Sequence, residues 1–149
     1  MRAHTTRSAA RASADLRSVA AAACALALAL AGCASSVSTS SFKGEEHEIA
    51  QTVANLQSDT SAQDQAKVCA NDLAQALVER LNQAPGGCKQ AIKTLQAEID
   101  PGLEVKVESV HIAGTTATAK VKSTFEGKRR LYTLEFVKQG GRWKVSGIQ

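Results

Sequence analysis

A chain of 149 residues with 3% aromatics and a formal charge of +4 has room for one modest domain and one address segment, because cores of this size rarely divide. The charge is local: Arg2, Arg7, Arg11 and Arg17, with Asp15 as the one acid, precede an apolar run, and from Cys33 onward 14 bases face 13 acids, a net of +1. A near-neutral remainder with so few rings excludes nucleic acid as a partner, since phosphate binding draws on clustered Lys and Arg with stacking aromatics.

In chain order, the polar, cationic stretch Met1 to Arg17 is followed by the apolar run Ser18 to Leu30. The run has signal-peptide length and is too short for a permanent membrane span. It ends in Leu30-Ala31-Gly32-Cys33, which resembles the lipobox of bacterial lipoproteins: an aliphatic residue, two small residues, then cysteine. The resemblance implies that residues 1–32 are a cleaved signal peptide and that the Cys33 thiol receives a diacylglyceryl group. The mature chain would then be lipid-anchored, palmitate included, at the cell membrane on its extracytoplasmic side. The competing readings are an ordinary secretory signal with an incidental cysteine, or an uncleaved anchor. Cys24 is a poorer anchor, because Ala21 stands where a larger aliphatic residue is wanted and cleavage there would leave Ala25 to Leu30 on the mature end. Residues 33–43 then read as the lipidated cysteine and a Ser/Thr-rich tether, which need not fold and reaches roughly 30 Å when extended.

Residues 44–149 carry the domain. Ile49, Val53 and Leu56 fall on one helical face, predicting a helix from about Gly44 to Gln57 with Glu45, Glu46 and Glu48 at its positive dipole end. Ser58-Asp59-Thr60-Ser61 reads as a stop and a new N-cap, opening a second helical stretch with Cys69, Leu73, Ala76, Leu77 and Leu81 on one side, which Pro85-Gly86-Gly87 ends. A third helix carries Cys88, Ile92, Leu95 and Ile99 and stops at Asp100-Pro101-Gly102. Thereafter the period is two. Leu103, Val105 and Val107 share a face, and the parity changes at Val110 and Ile112, which predicts a bulge near Ser109. Ala117, Ala119, Val121, Ser123 and Phe125 line one face of a second strand, Tyr132, Leu134 and Phe136 one face of a third, and Trp143 and Val145 belong to a fourth. The architecture predicted is α+β: three N-terminal helices packed on a curved four-stranded antiparallel sheet.

With Cys24 lost in the leader and Cys33 spent on lipid, Cys69 and Cys88 remain in a compartment where disulfides persist. A bond between them is the simplest outcome; free buried thiols or metal ligands are the alternatives, and with His47 and His111 the two cysteines do not approach a zinc spacing. The bond requires the second helical stretch to break. An unbroken helix from Ser61 to Gln83 would carry its end about 21 Å from Cys69, whereas bonded Cα atoms lie within roughly 7 Å. The break is predicted at Asn71-Asp72, whose short polar side chains can end one helix and cap the next.

The opening helix, Cys69 and Cys88 flanking Gly86-Gly87, Val107 to Val110 before Thr115 to Ala119, and Leu134 to Val137 before Gly140-Gly141-Arg142-Trp143-Lys144-Val145 together resemble the small NTF2-like, or cystatin-like roll, lipoproteins of actinobacteria. That resemblance implies a cone-shaped sheet whose mouth can hold an apolar molecule, in a family where many members act as binding or accessory modules and some are isomerases or hydrolases. Small Ala117, Ala119 and Ser123 facing Tyr132, Leu134 and Phe136 are the expected pocket lining, unless these side chains simply fill the core. An enzyme would need an acid or base in the cone, for which Tyr132 as donor and Asp72 or Asp100 as base are the candidates. No catalytic set, metal set or cofactor motif is present, so no cofactor is expected. The expected partners are the membrane, through Cys33, and a small apolar ligand or envelope protein. Lys120, Lys122 and Lys128-Arg129-Arg130 could alternatively form a basic strip for anionic lipid heads or cell-wall polymers.

Overall fold

A computed structural model of the chain describes residues 37–99 and 103–149. The lipobox Leu30, Ala31, Gly32 and Cys33, and Asp100, lie outside the described residues. Helix α1 (Gly44–Ser61) is followed by a single helical turn, α2 (Gln65–Lys67), a π-helical turn (Val68–Asp72), α3 (Gln75–Leu81) and α4 (Gly87–Glu98). Strands β1 (Glu104–Ala113), β2 (Thr116–Phe125), β3 (Lys128–Gln139) and β4 (Arg142–Ile148) form an open antiparallel sheet in the order β1-β2-β3-β4. The fold class is α+β, as the alternation of periods predicts.

The helix boundaries depart from the sequence reading in an instructive way. Ser58 to Ser61 do not end α1; they are its last turn. The helix stops only at Gln63, whose φ of 55° is left-handed. There Gln63 N–H donates to Thr60 O at 3.0 Å and Asp64 N–H to Asp59 O at 2.9 Å, a Schellman closure that satisfies the last carbonyls. Asp64, not Ser61, then caps the next turn, accepting from Lys67 N–H at 3.0 Å.

The second helical stretch breaks, two residues beyond the expected point. Leu73 N–H reaches back five residues to Val68 O at 3.2 Å, and Leu73 and Ala74 are extended. Neither Asn71 nor Asp72 caps α3, whose first turn follows Ala74 without a side-chain cap. What stabilises the break is tertiary: Leu73 bridges Val145 in parallel, and Ala74 N–H donates to Val145 O at 2.8 Å, covering part of the free edge of β4. The break also returns Cys69 to Cys88, which are disulfide-bonded with Cα atoms 6.2 Å apart. Asn82 Oδ1 accepts from Cys88 N–H at 2.9 Å and so serves the start of α4. Ala76 is consequently exposed, and Ala74 takes a buried place instead.

The sheet keeps the alternation read from the sequence. Register shifts between Val107 and Ser109, where Glu108 is the extra residue, so Val110 and Ile112 stay on the helix side despite the parity change. Ile49, Ala50 and Val53 of α1 press on an inner sheet face built by Val107, Ala117, Ala119, Val121, Leu134, Phe136, Trp143 and Val145. Ala119 and Phe136 are fully enclosed: small residues on β2 let the helix approach, and the large ring on β3 fills the space beside it. Of the α4 stripe, only Cys88 and Ile92 are buried; Leu95 and Ile99 are exposed. Within the expected tether, Val37 is only 6% exposed and belongs to the core, and Phe42 packs against that core, so packing reaches at least seven residues before Gly44.

Candidate functional site

Where α1 and α4 end, the helices no longer cover the sheet, and a cleft of about 620 Å³ opens beside the β2–β3 hairpin. Val53, Leu56 and Gln57 of α1 form one wall, with Ile99 after α4. The opposite wall is the inner sheet face: Val105 of β1, Val121, Ser123 and Phe125 of β2, and Tyr132 and Leu134 of β3. The cleft lies where α1 ends at Ser61 and α4 at Glu98, so that the inner face of β2 and β3 beyond them has no covering helix. Its volume falls in the range that receives a small organic ligand.

Polar groups are sparse on this surface. Gln57 Oε1 is shut off from solvent with no hydrogen-bond partner among the described residues, while its Nε2 reaches Leu103 O at 3.5 Å. An enclosed acceptor without a donor is costly unless a ligand or water supplies one. At the rim, Lys128 and Arg130 of β3 share the inner-face parity of Tyr132, and Glu98 and Glu126 stand across from them. Gln57 escapes sequence reasoning because its amide sits one residue after the apolar stripe and looks like a solvated helix position.

Of the six residues expected to line a pocket, Ser123, Tyr132 and Leu134 are on the cleft wall. Ala117, Ala119 and Phe136 are not: they lie farther along the sheet in the packed core, where α1 still covers the strands. Ala117 and Phe136 also edge a shallow depression of about 300 Å³ elsewhere on the sheet, with His111 and Glu135.

Of the two acids considered for an enzyme, Asp100 lies outside the described residues and Asp72 is not brought to the donor. Tyr132 is on the cleft wall, whereas Asp72 is not. Asp72 is 3% exposed, and its Oδ2 has no hydrogen-bond partner among the described residues. Burial first, and the neighbouring Asp59 carboxylate second, push it up to about 6; Lys144 acts in the opposite sense. Lys144 is itself buried in β4 and donates to Asn71 O. Its ammonium is held below the ordinary lysine range, mainly by that burial and next by Arg142. Asp72 therefore belongs to a structural polar cluster under the π-helical turn. Among the described residues no three His, Cys, Asp or Glu side chains group as a metal site. Trp143 is buried in the core, with Lys138 Nζ 5.5 Å from its ring centroid.

Within the expected basic strip, Lys122 is paired with Glu108 at 3.0 Å, and Lys106 approaches the same carboxylate at 3.8 Å. Lys128, Arg129 and Arg130 make no salt bridge among the described residues.

Against known proteins, residues 50–147 match the family described as Low molecular weight antigen MTB12, C-terminal domain. No curated protein matches the chain. An NTF2-like protein of unknown function from Shewanella baltica is similar in structure, with a TM-score of 0.49 and 18% identity, over 70% of this chain and 90% of that one. A de novo designed NTF2 fold protein gives a TM-score of 0.43 and 15% identity over 72% and 84%. A designed β-sheet protein of cystatin fold gives 0.32 and 25% over 50% and 90%.

Proposed function

Because the chain belongs to the family of the low molecular weight antigen MTB12 C-terminal domain, we propose that it is an extracytoplasmic lipoprotein, anchored through Cys33, whose domain is a non-catalytic module that binds a small apolar molecule. The observation that carries this reading is the cleft of about 620 Å³, walled by Val53, Leu56, Val105, Val121 and Leu134. Burying an acyl or similar apolar group there gains roughly 25 cal/mol per Å² removed from water. Gln57 on the cleft wall carries an acceptor, Oε1, that has no hydrogen-bond partner among the described residues. Asp72, one of the two acids considered for chemistry, is not on the cleft wall with Tyr132. Anchoring at Cys33 is supported by Leu30-Ala31-Gly32-Cys33 at the end of an apolar run; two acyl chains, at about 0.8 kcal/mol per methylene, suffice for durable residence.

The test is native mass spectrometry on protein purified from its own membranes. The expected result is an acylated chain beginning at Cys33 with an apolar molecule bound, the bound molecule being lost in Ser123→Trp, which fills the cleft. A melting curve of that variant separates a filled cleft from a lost fold. A chain beginning elsewhere without acyl groups refutes the anchor. A protein partner in place of a small molecule refutes the cleft as the binding site.

A further inference from the structure

We infer that the β2–β3 hairpin end of the domain rests on an anionic membrane surface, an orientation that depends on the anchoring at Cys33 proposed above. The first argument is chain length. Val37 is fixed in the core only four residues beyond Cys33, so at about 3.5 Å per residue the link from bilayer to domain spans at most about 14 Å. This is less than twice the Debye length of about 8 Å at physiological salt. The domain therefore stays within reach of the leaflet's surface field, and its charge distribution selects which side turns inward.

The second argument is where the link leaves the fold. Ser38, the residue after Val37, lines a groove with Glu104, Lys106, Lys122 and Arg129. The first described residues of the chain therefore lie beside the basic side chains of the hairpin end.

The third is the chemistry of that end. Glu108 is shared by Lys106 and Lys122, and Lys128, Arg129 and Arg130 make no salt bridge among the described residues. Glu98 and Glu126 at the cleft rim and Glu104 in the groove offset most of this charge: with Glu108, four acids face the five bases Lys106, Lys122, Lys128, Arg129 and Arg130, and the surplus that remains is one positive charge. Leu131 stands 70% exposed on the outer face, paired across the sheet with Lys122 and two residues from Arg129. Ile148, 64% exposed and paired with Leu134, lines the cleft on the inner side. Isolated apolar side chains set among bases are what an anionic headgroup layer accommodates: the bases meet phosphate while the aliphatic tips enter the boundary. The far end of α1, by contrast, opens with Glu45, Glu46 and Glu48, which an anionic leaflet repels. The same orientation turns the cleft mouth toward the bilayer.

The test uses the lipidated chain reconstituted in vesicles of equimolar phosphatidylglycerol and phosphatidylcholine, or of phosphatidylcholine alone, both with bromine-labelled acyl chains. Intact mass is measured first. The one natural tryptophan, Trp143, is buried and gives a common background. Leu131→Trp, paired with Lys122, reports the hairpin end, and Thr115→Trp reports the β1–β2 turn at the other end of β2, seven residues or about 23 Å away along the strand. We expect Leu131→Trp to be quenched at least about twofold more in the anionic vesicles, and the excess to vanish at about 0.5 M salt or with Lys128→Gln, Arg129→Gln and Arg130→Gln combined. Thr115→Trp should not distinguish the two lipids. Equal quenching of Leu131→Trp in both lipids, or stronger quenching of Thr115→Trp, overturns the orientation while leaving an acylated anchor intact. A chain without acyl groups overturns the anchor and the orientation with it.

Discussion

Asp72 shows how one side chain can work against the fold that holds it. Its carboxyl is raised from 3.8 to about 6, so between about pH 4 and pH 6 the folded protein holds a proton that the unfolded chain releases. Stability therefore falls as pH rises through that window and stays at the lower level above it. Asp72→Asn should stabilise the protein by about 1–3 kcal/mol at pH 7.5, with the advantage gone near pH 4, as read by urea unfolding at the two pH values. Destabilisation at pH 7.5 would mean instead that the charged carboxylate is held by Lys144. Gln63 is a second residue under strain, since its left-handed backbone costs a side-chain-bearing residue about 1–2 kcal/mol. Gln63→Gly should raise stability by up to about 1 kcal/mol, the gain being cut by the greater freedom of glycine in the unfolded chain.

At the scale of elements, the disulfide and the helix break are one device. The π-helical turn and the extended Leu73-Ala74 bring the chain back so that Cys69 meets Cys88 across a separation of 19 residues. Replacing both cysteines with alanine should cost about 3 kcal/mol in the chain-entropy picture, and a loss near zero would place the constraint in the Val145 pairing alone. The segment before α1 is equally structural. Val37→Ala should cost about 1–2 kcal/mol by lost burial, whereas a free spacer would tolerate it without change in the unfolding midpoint.

For the whole molecule, helices and sheet share one apolar cluster from Val37 to Val145. Unfolding followed by Trp143 fluorescence and by far-ultraviolet circular dichroism should therefore give one coincident transition; separated midpoints would mean that the helical layer detaches from the sheet. The arrangement also leaves one end of the sheet uncovered. Packing is dense where α1 crosses Ala119 and Phe136, and it opens where Ser123 and the helix ends leave the strands uncovered.

Side-chain spacing determined the succession of helical and strand periods and the bulge beside Ser109, and counting thiols made the Cys69–Cys88 bond the simplest outcome, which the structure holds. The tertiary structure decided what depends on distant neighbours. The second helical stretch breaks at Leu73-Ala74 because Val145 offers a backbone partner there, not because Asn71 or Asp72 caps a helix. Val37 is buried although its flanking serines read as spacer. Ala117, Ala119 and Phe136 pack in the core, while Ser123, Tyr132 and Leu134 on the same face line a cleft. Alternation along a strand fixes which face a residue takes, but only the reach of the covering helices fixes whether that face is filled or left open.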